Sequence, residues 1–216
     1  PLGRYYHWVV AHTVLGGASL GVFVVHAGWT MPRLGVNSWV WVLAWVTFVV
    51  GIIGLYLNVI LPKRIVQNGF EVLFGRVREH QERLVDDVLA VRSRAADGDQ
   101  ETGLPASPAV VDLIDQRVYP FMQRGTPWIT ALIKTPGFRP PLVAQLLAIR
   151  ARVEPFEQPQ LERLAEVVED RHRLDVSFVH MAVLRMWVVV HGVFGFALTI
   201  AILLHIFWAY NLLGGV

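Results

Sequence analysis

Residues 8–28 read WVVAHTVLGGASLGVFVVHAG and contain no Asp, Glu, Lys or Arg. At roughly 1.5 Å of rise per residue, about 20 apolar residues in an α-helix cross the hydrocarbon core of a bilayer. Two further windows, 39–61 and 186–213, are equally free of charged residues. The pattern predicts three membrane-spanning helices. A cleaved signal peptide is the less favoured interpretation of the first window, because its apolar stretch is long and no strongly basic leader precedes it.

The composition favours a membrane protein and excludes several other classes. Hydrophobic residues make up 54% of the 216 residues and charged residues only 17%, which is unusual for a soluble domain. The chain has no cysteine, so disulfides, thiolate metal sites, cysteine-ligated iron–sulfur clusters and covalently attached c-type haem are excluded. The net charge of +2 comes without a lysine-rich patch, and no nucleic-acid partner is expected.

Basic residues beside the windows predict the orientation of the chain. Most of them flank the first window on its N-terminal side, follow the second window or precede the third, and Arg33 lies in the opposite loop. The majority set is Arg4, Lys63, Arg64, Arg76, Arg78, Arg171, Arg173 and Arg185. The positive-inside rule then places the N-terminus and the segment between the second and third windows in the cytoplasm, and the C-terminus outside the plasma (inner) membrane.

The segment 65–175 is charged and reads as helices interrupted by glycine and proline. Its predicted elements are a helix near Ile65–Arg94, a flexible stretch 95–108, a helix Ala109–Tyr119, a loop-rich part with Pro127, Pro136, Pro140 and Pro141, and an amphipathic helix after Pro159 that continues into the third span. The apolar face of that last helix contains Leu161, Leu164, Val167, Val168 and Leu174. The expected fold is all-α: an integral membrane bundle with transmembrane helices in residues 1–64 and 176–216, and a helical cytoplasmic insertion over 65–175.

Four histidines lie inside the predicted spans. His12 and His26 are in the first span, and His191 and His205 are in the third; both pairs are separated by 14 residues. Fourteen residues of α-helix turn to within roughly 40° of whole turns and rise about 21 Å, so each helix presents two imidazoles on one face. Ionisable groups at membrane depth are costly, which makes these residues candidates for function.

The first and third spans are predicted to run in the same direction, so the histidines match in two levels. His12 faces His191 towards the cytoplasm, and His26 faces His205 towards the outside. Two facing neutral imidazoles can supply both axial ligands of a haem. A single intramembrane histidine could be a hydrogen-bonded packing residue, whereas four in two equal intervals favour two haem b groups, one per level. Bis-histidine ligation leaves no open iron position and indicates electron transfer.

Glycine and arginine residues are secondary candidates for contacts with the cofactor. Gly17 and Gly195 lie in the histidine-bearing spans, where a residue without a side chain allows a flat macrocycle to approach the backbone. Close helix packing explains each glycine equally well. Arg4 and Arg185 are candidate partners of haem propionates on the cytoplasmic side.

Three other histidines lie in charged helical sequence or at its border with the third span. His80 and His172 are expected to face water. His180 lies 11 residues before His191, on nearly the same helix face, and is expected at the membrane interface. A role for His180 at an electron entry point or in binding a second kind of cofactor is the alternative.

The two histidine pairs, each with 13 intervening residues on parallel helices, resemble the di-haem core of cytochrome b in the quinol:cytochrome c oxidoreductases. The resemblance covers the two histidine-bearing spans, about a quarter of the chain, and implies that His12, His26, His191 and His205 hold two haems and that quinone is a further candidate ligand. This chain departs from the family in having three spans instead of four helices around the haems, and a large insertion. The missing wall would come from lipid, a second copy or a partner subunit.

The expected function is that of an electron-transfer subunit in a larger respiratory or photosynthetic complex. Its partners would be membrane and soluble redox subunits, with a c-type cytochrome or an iron–sulfur protein as candidates. The alternative is a quinol-oxidising or quinone-reducing membrane oxidoreductase subunit with its own quinone site, which a bound quinone would favour. A transporter with histidine relays would need acidic partners in the spans, and the spans contain none.

Overall fold

The computed structural model describes residues 2–29, 35–67, 74–98, 106–133 and 137–213, and all regular structure within these ranges is helical. The α-helices are α1 (Leu2–Ala27), α2 (Val36–Gln67), α3 (Val77–Asp97), α4 (Pro108–Leu113), α5 (Tyr119–Arg124), α6 (Trp128–Ile133), α7 (Pro141–Arg150) and α8 (Gln158–Leu213). A 3₁₀ turn at Phe74–Arg76 precedes α3, and a π turn at Ile114–Val118 joins α4 to α5. The predicted all-α class is confirmed for the described residues.

The chain divides into two compact units. The three-helix unit comprises Pro1–Asn58 and Leu184–Val216, and the middle unit comprises Val59–Val183. The first unit therefore contains α1, the first part of α2 and the last part of α8. The sequence-based boundaries after residues 64 and 175 do not coincide with these limits, because α2 and α8 each contribute residues to both units.

The helices of the three-helix unit keep large apolar side chains on their outer surface. Val25 is 88% exposed, Val22 70% and Phe196 69%. Exposed apolar surface of this extent is unfavourable in water and favourable in hydrocarbon. Among the described residues, three helices are long and apolar enough to cross a membrane, and they are α1, α2 and α8. This agrees with the three predicted spans.

Helix α2 is longer at both ends than the window that predicted it. It begins before Trp39, and Ser38 lies inside its first turn, where the Ser38 hydroxyl accepts the Gly35 N–H at 3.2 Å and donates to the Gly35 carbonyl at 2.6 Å. Ser38 thus caps the helix by reaching back from within the first turn. The helix also continues past Pro62, beyond the end of the window at residue 61. A proline inside a helix removes one backbone hydrogen bond, and here the adjacent Leu61 is buried.

The core of the middle unit is formed by α3, α4, the π turn, α5, α7 and the first part of α8. Its buried members are Val88, Val91, Ala95, Val110, Ile114, Val118, Met122, Val143, Leu146, Leu161, Leu164, Ala165, Val167 and Val168. The predicted apolar face of the last helix is confirmed, since Leu161, Leu164, Val167, Val168 and Leu174 are all buried. That helix begins at Gln158 and continues into the third span as α8.

Several predicted limits in the segment 65–175 are wrong. The long helix expected near Ile65–Arg94 is divided between the end of α2 and α3, and the helix expected at Ala109–Tyr119 runs on through α4, the π turn and α5. The part expected to be loop-rich contains α6 and α7. Proline is compatible with the first turn of a helix, so Pro141 begins α7. Much of the predicted flexible stretch 95–108, and Pro136, lie outside the described residues.

A buried polar cluster connects α8 to the turn between α5 and α6. The Asp175 carboxylate accepts the Thr126 N–H at 2.7 Å and the Gln81 amide at 3.5 Å, and it lies 3.5 Å from the Arg171 guanidinium. The ring Nδ1 of His172 lies 2.8 Å from the Thr126 hydroxyl. His172 is buried, so its expected exposure to water is wrong, because α8 is packed on more than one face in this unit.

His180 is also enclosed by the middle unit. Its side chain is 1% exposed and so does not face water, whereas its expected position at the membrane interface stays a prediction. A second polar residue of this unit, Arg64, donates from Nη1 to the Leu132 carbonyl at 3.0 Å. The middle unit therefore has a polar interior that its charged sequence did not predict.

Candidate cofactor site

Helices α2 and α8 lie side by side and run in opposite directions in the three-helix unit. Gly54 of α2 lies against the ring of Trp187 in α8. Asn37, at the start of α2, contacts His205 near the end of α8. Moving back along α2 from Gly54 to Asn37 therefore corresponds to moving forward along α8 from Trp187 to His205. The two helices are antiparallel.

Helix α1 has the same direction as α8. The rings of His12 in α1 and His191 in α8 have centroids 6.1 Å apart. Trp29, which follows α1, packs against Trp45 of α2 with centroids 6.0 Å apart. Helix α1 is thus antiparallel to α2 and parallel to α8. These contacts agree with the predicted direction of the two histidine-bearing helices.

A cavity of about 1190 Å³ lies within the three-helix unit. His12, His26, His191 and His205 all contribute to its lining, together with many apolar side chains. Small-molecule sites usually measure about 300–1,000 Å³, so this cavity suits a large ligand. The four histidines that sequence spacing singled out face one common space.

The imidazoles of His12 and His191 lie at a separation that a shared metal would require. Their centroids are 6.1 Å apart and their planes are perpendicular, at 89°. Two metal–nitrogen bonds of about 2 Å, with ring radii of roughly 1 Å, correspond to a centroid separation of about 6 Å. His26 and His205 line the same cavity, and the ring of His205 contacts Asn37.

A tryptophan four residues earlier in each helix stacks on each ring of the first pair. Trp8 and His12 have centroids 5.1 Å apart and planes 4° apart; Trp187 and His191 have centroids 5.2 Å apart and planes 15° apart. Trp187 also donates from Nε1 to the Val50 carbonyl at 2.9 Å. Because each indole covers one face of an imidazole, it restricts the side-chain rotation of that histidine.

Gly54 provides the space that Trp187 occupies. A Cβ at position 54 would lie 1.6 Å from Cζ2 and 1.9 Å from Cε2 of the indole, well inside van der Waals contact. At Gly51, a Cβ would lie 3.4 Å from Cε1 of His191, which is ordinary contact. The surface of α2 therefore positions the aromatic residues of α8, and it does so most strictly at Gly54.

The Nδ1 atoms of His205 and His191 have different surroundings. Nδ1 of His205 lies 2.7 Å from Oδ1 of Asn37. Because a carbonyl oxygen can only accept, this contact requires a proton on Nδ1 and leaves the lone pair on Nε2. Nδ1 of His191 is buried and has no hydrogen-bond partner among the described residues. Sequence spacing alone treats the two residues as equivalent.

The glycine and arginine residues that were secondary candidates for cofactor contacts differ in their position relative to the cavity. Gly17 lines the cavity, and a Cβ there would meet nothing within 4 Å. Gly195 is not among the lining residues, and its carbonyl accepts the Thr199 hydroxyl at 2.9 Å. Arg185 is exposed, and the side chain of Arg4 lies outside the described residues. The structure associates Gly17, and not Gly195, with the cavity.

Sequence reasoning did not assign Trp8, Trp187 or Asn37 to the site. Aromatic residues are common at membrane interfaces, and this preference alone explains the positions of the tryptophans in the sequence. Their stacking on the histidines was therefore not predicted. A usable signal was present, since Trp-x-x-x-His occurs in both helices and residues four apart are neighbours on a helix. Asn37 had no comparable signal, because its contact joins two helices far apart in sequence.

The fold and the site define a broad class: an all-helical protein with helices long enough to cross a membrane and a cavity lined by histidines. No protein-family model matches the chain, and no curated protein or solved structure matches it. The assignment of a function therefore rests on the geometry and chemistry of the cavity.

Proposed function

We propose that the chain is a di-haem b-type cytochrome subunit that transfers electrons across a membrane between the redox partners of a larger electron-transport complex. The observation that carries the proposal is the cavity lined by His12, His26, His191 and His205. The separation of 6.1 Å between the rings of His12 and His191 adds a distance suited to axial ligation. The proposed pairs are His12 with His191 and His26 with His205.

The number of available ligands favours haem over a bare metal ion. In the described ranges, no group of three or more His, Asp or Glu side chains is arranged to hold a metal. Zinc sites use three or four protein ligands, more than a pair of imidazoles supplies. A haem iron already has the nitrogens of its macrocycle and needs only axial ligands from the protein. The apolar walls of the cavity also suit a flat, largely apolar macrocycle.

The residues of the chain have separate tasks in this proposal. His12 and His191 would supply the two axial nitrogens, while Trp8 and Trp187 stack on the two rings and restrict their rotation. Most of the cavity lining is apolar, and the polarity and solvent access around a haem are among the factors that control its redox potential. A haem held by two imidazoles would supply one-electron transfer and would leave no open position for oxygen.

The spacing along one helix separates the two proposed haem levels. His191 and His205 belong to the same helix, α8, and 14 residues of helix correspond to a rise of about 21 Å. Each pair would therefore lie nearer to one leaflet of a bilayer whose core is about 30 Å thick. Together the two levels would span most of the distance that electrons must travel.

The orientation and the partners belong to the same proposal. The distribution of basic residues supports a cytoplasmic position for the N-terminus and for residues 65–175, with the C-terminus outside. Redox subunits on either side, such as a c-type cytochrome or an iron–sulfur protein, would deliver and receive electrons. Apolar residues such as Val25 and Phe196, exposed on the three-helix unit, would contact lipid, a second copy or a partner subunit.

A reduced-minus-oxidised absorption spectrum of the full chain, purified in detergent, tests the haem directly. We expect a b-type spectrum and, by the pyridine haemochrome method, about two haems per chain. His80→Ala is the matched control, because His80 lies in α3 of the middle unit, and its haem content should remain at the original level. Absence of haem from chain produced with an adequate haem supply would contradict the proposed function.

The orientation can be tested by cysteine labelling, since the chain has no cysteine of its own. Gln123→Cys lies on the middle unit and Tyr210→Cys near the end of α8, and both positions are exposed. A membrane-impermeant maleimide should label Tyr210→Cys in right-side-out vesicles and Gln123→Cys only in inverted ones. The opposite pattern would show that the insertion lies outside, and the original chain measures the background.

A further inference from the structure

We propose that Asn37 is a positioning residue that fixes the ligand tautomer of His205 and lowers the redox potential of the haem at the His26/His205 level relative to the other haem. This inference rests on the proposed di-haem function. It goes beyond that function because it makes the two levels unequal and names the residue responsible. The contact that carries it is Asn37 Oδ1 to His205 Nδ1, at 2.7 Å.

The contact selects one of the two neutral forms of the His205 ring. A carbonyl oxygen accepts and cannot donate, so Nδ1 of His205 carries the hydrogen. Nε2 then has a free lone pair, and His205 is among the residues that line the cavity. Histidines that bind metals commonly donate their second ring N–H to a carbonyl or carboxylate, which fixes the tautomer and the ring orientation.

The corresponding histidine of α8 at the other level, His191, has different surroundings. Nδ1 of His191 is buried without a hydrogen-bond partner among the described residues, and its ring is held instead by the stacked indole of Trp187. Stacking restricts the ring but accepts no proton from Nδ1. The two histidines of α8 are therefore held by different means, one by hydrogen bonding and one by packing.

The difference has a consequence for the iron. Donation from Nδ1–H places partial negative charge on the imidazole and makes Nε2 a stronger base. A more basic axial ligand stabilises ferric iron more than ferrous iron, so the reduction potential falls. The equilibrium distribution of one electron between the two haems then favours the His12/His191 level.

Two substitutions at position 37 distinguish the effect of the acceptor oxygen from the effect of side-chain shape. Asn37→Leu keeps the branched shape of the side chain but has no acceptor, whereas Asn37→Asp keeps an oxygen at the same reach. Thr199→Val is the control, because the Thr199 hydroxyl donates to the Gly195 carbonyl of its own helix and Thr199 is not among the residues that line the cavity. All three are compared with the original chain by spectroscopic redox titration, together with haem quantification.

In the original chain we expect two one-electron components of different potential. In Asn37→Leu the midpoint potential of the lower component should rise. At a fixed ambient potential, the ratio of oxidised to reduced haem should therefore fall at least tenfold, which corresponds to a rise of about 59 mV. Asn37→Asp should stay at or below the original potential, and Thr199→Val should not change it. The shifted component should be the one that His205→Ala removes.

The failure of this inference differs from a failure of the proposed function. Haem missing from the original chain would remove the proposed function itself. Two bound haems with unchanged potentials in Asn37→Leu would overturn the role of Asn37 alone. Loss of one haem in Asn37→Leu but not in Asn37→Asp would support it, because the acceptor would then be required for ligation. Loss in both variants would overturn it.

Discussion

Replacing His12 by alanine is expected to remove one of the two haems, and adding His191→Ala to that variant is expected to remove no more. Both residues would ligate the same iron, so loss of either leaves a single axial ligand, and the second substitution affects a site that is already empty. The separation of 6.1 Å between their rings motivates this assignment. Pyridine haemochrome per chain in the single and double variants is the measurement.

A double variant with one substitution at each haem level should instead lose both haems. His12→Ala combined with His205→Ala removes one ligand from each proposed pair, so both haems should be lost. The comparison between the two double variants therefore tests the pairing, and not only the involvement of histidine. If His12→Ala with His191→Ala lost both haems while each single variant lost one, the two residues would belong to different sites.

The sequence predicted the three spans well because a bilayer imposes a simple requirement. A helix must stay free of charge over about 20 residues, and windows 8–28, 39–61 and 186–213 meet it. The windows did not show where the helices end. Helix α8 begins at Gln158, since an amphipathic helix packed on a core can continue directly into a helix that suits lipid.

The middle unit was less predictable because its core is assembled from short helices. Residues such as Ile114 and Met122 are fully buried, yet they lie in segments too short to show a clear helical period. Prolines also misled the interpretation, since Pro141 lies in the first turn of a helix where its missing N–H costs nothing. Position within the helix, which sequence alone does not reveal, decides the effect of a proline.

The histidines of the candidate site were predictable because two identical intervals encode a common face and a common level. Their surroundings were not, since they depend on the register of α2 against α8. That register brings Asn37 to His205 and Trp187 to Val50, contacts between residues far apart in the chain. Helix periodicity describes one helix at a time and carries no information about which residues of a second helix lie opposite.

Gly54→Ala is expected to remove the haem of the His12/His191 level while the other haem stays bound. The added Cβ would lie 1.6 Å from Cζ2 of Trp187, and the indole has little freedom to yield because Nε1 donates to the Val50 carbonyl. Overpacking of this kind costs about 1–3 kcal/mol. Displacing the indole would also end its stacking on His191, so the effect should appear as lower haem content and a lower thermal midpoint of unfolding.

Gly195→Ala is the matched control, because it changes a glycine of a helix in the same unit where a Cβ would meet nothing within 4 Å. Alanine in a helix interior is favoured over glycine by roughly 0.5–1 kcal/mol, so Gly195→Ala should be neutral or slightly stabilising, with both haems retained. A second variant, Gly54→Ala with Trp187→Leu, removes the clash. Its thermal midpoint of unfolding should exceed that of Gly54→Ala alone. If Gly54→Ala and Gly195→Ala had the same haem content and the same thermal midpoint, the contact between Gly54 and Trp187 would not position the His191 ring.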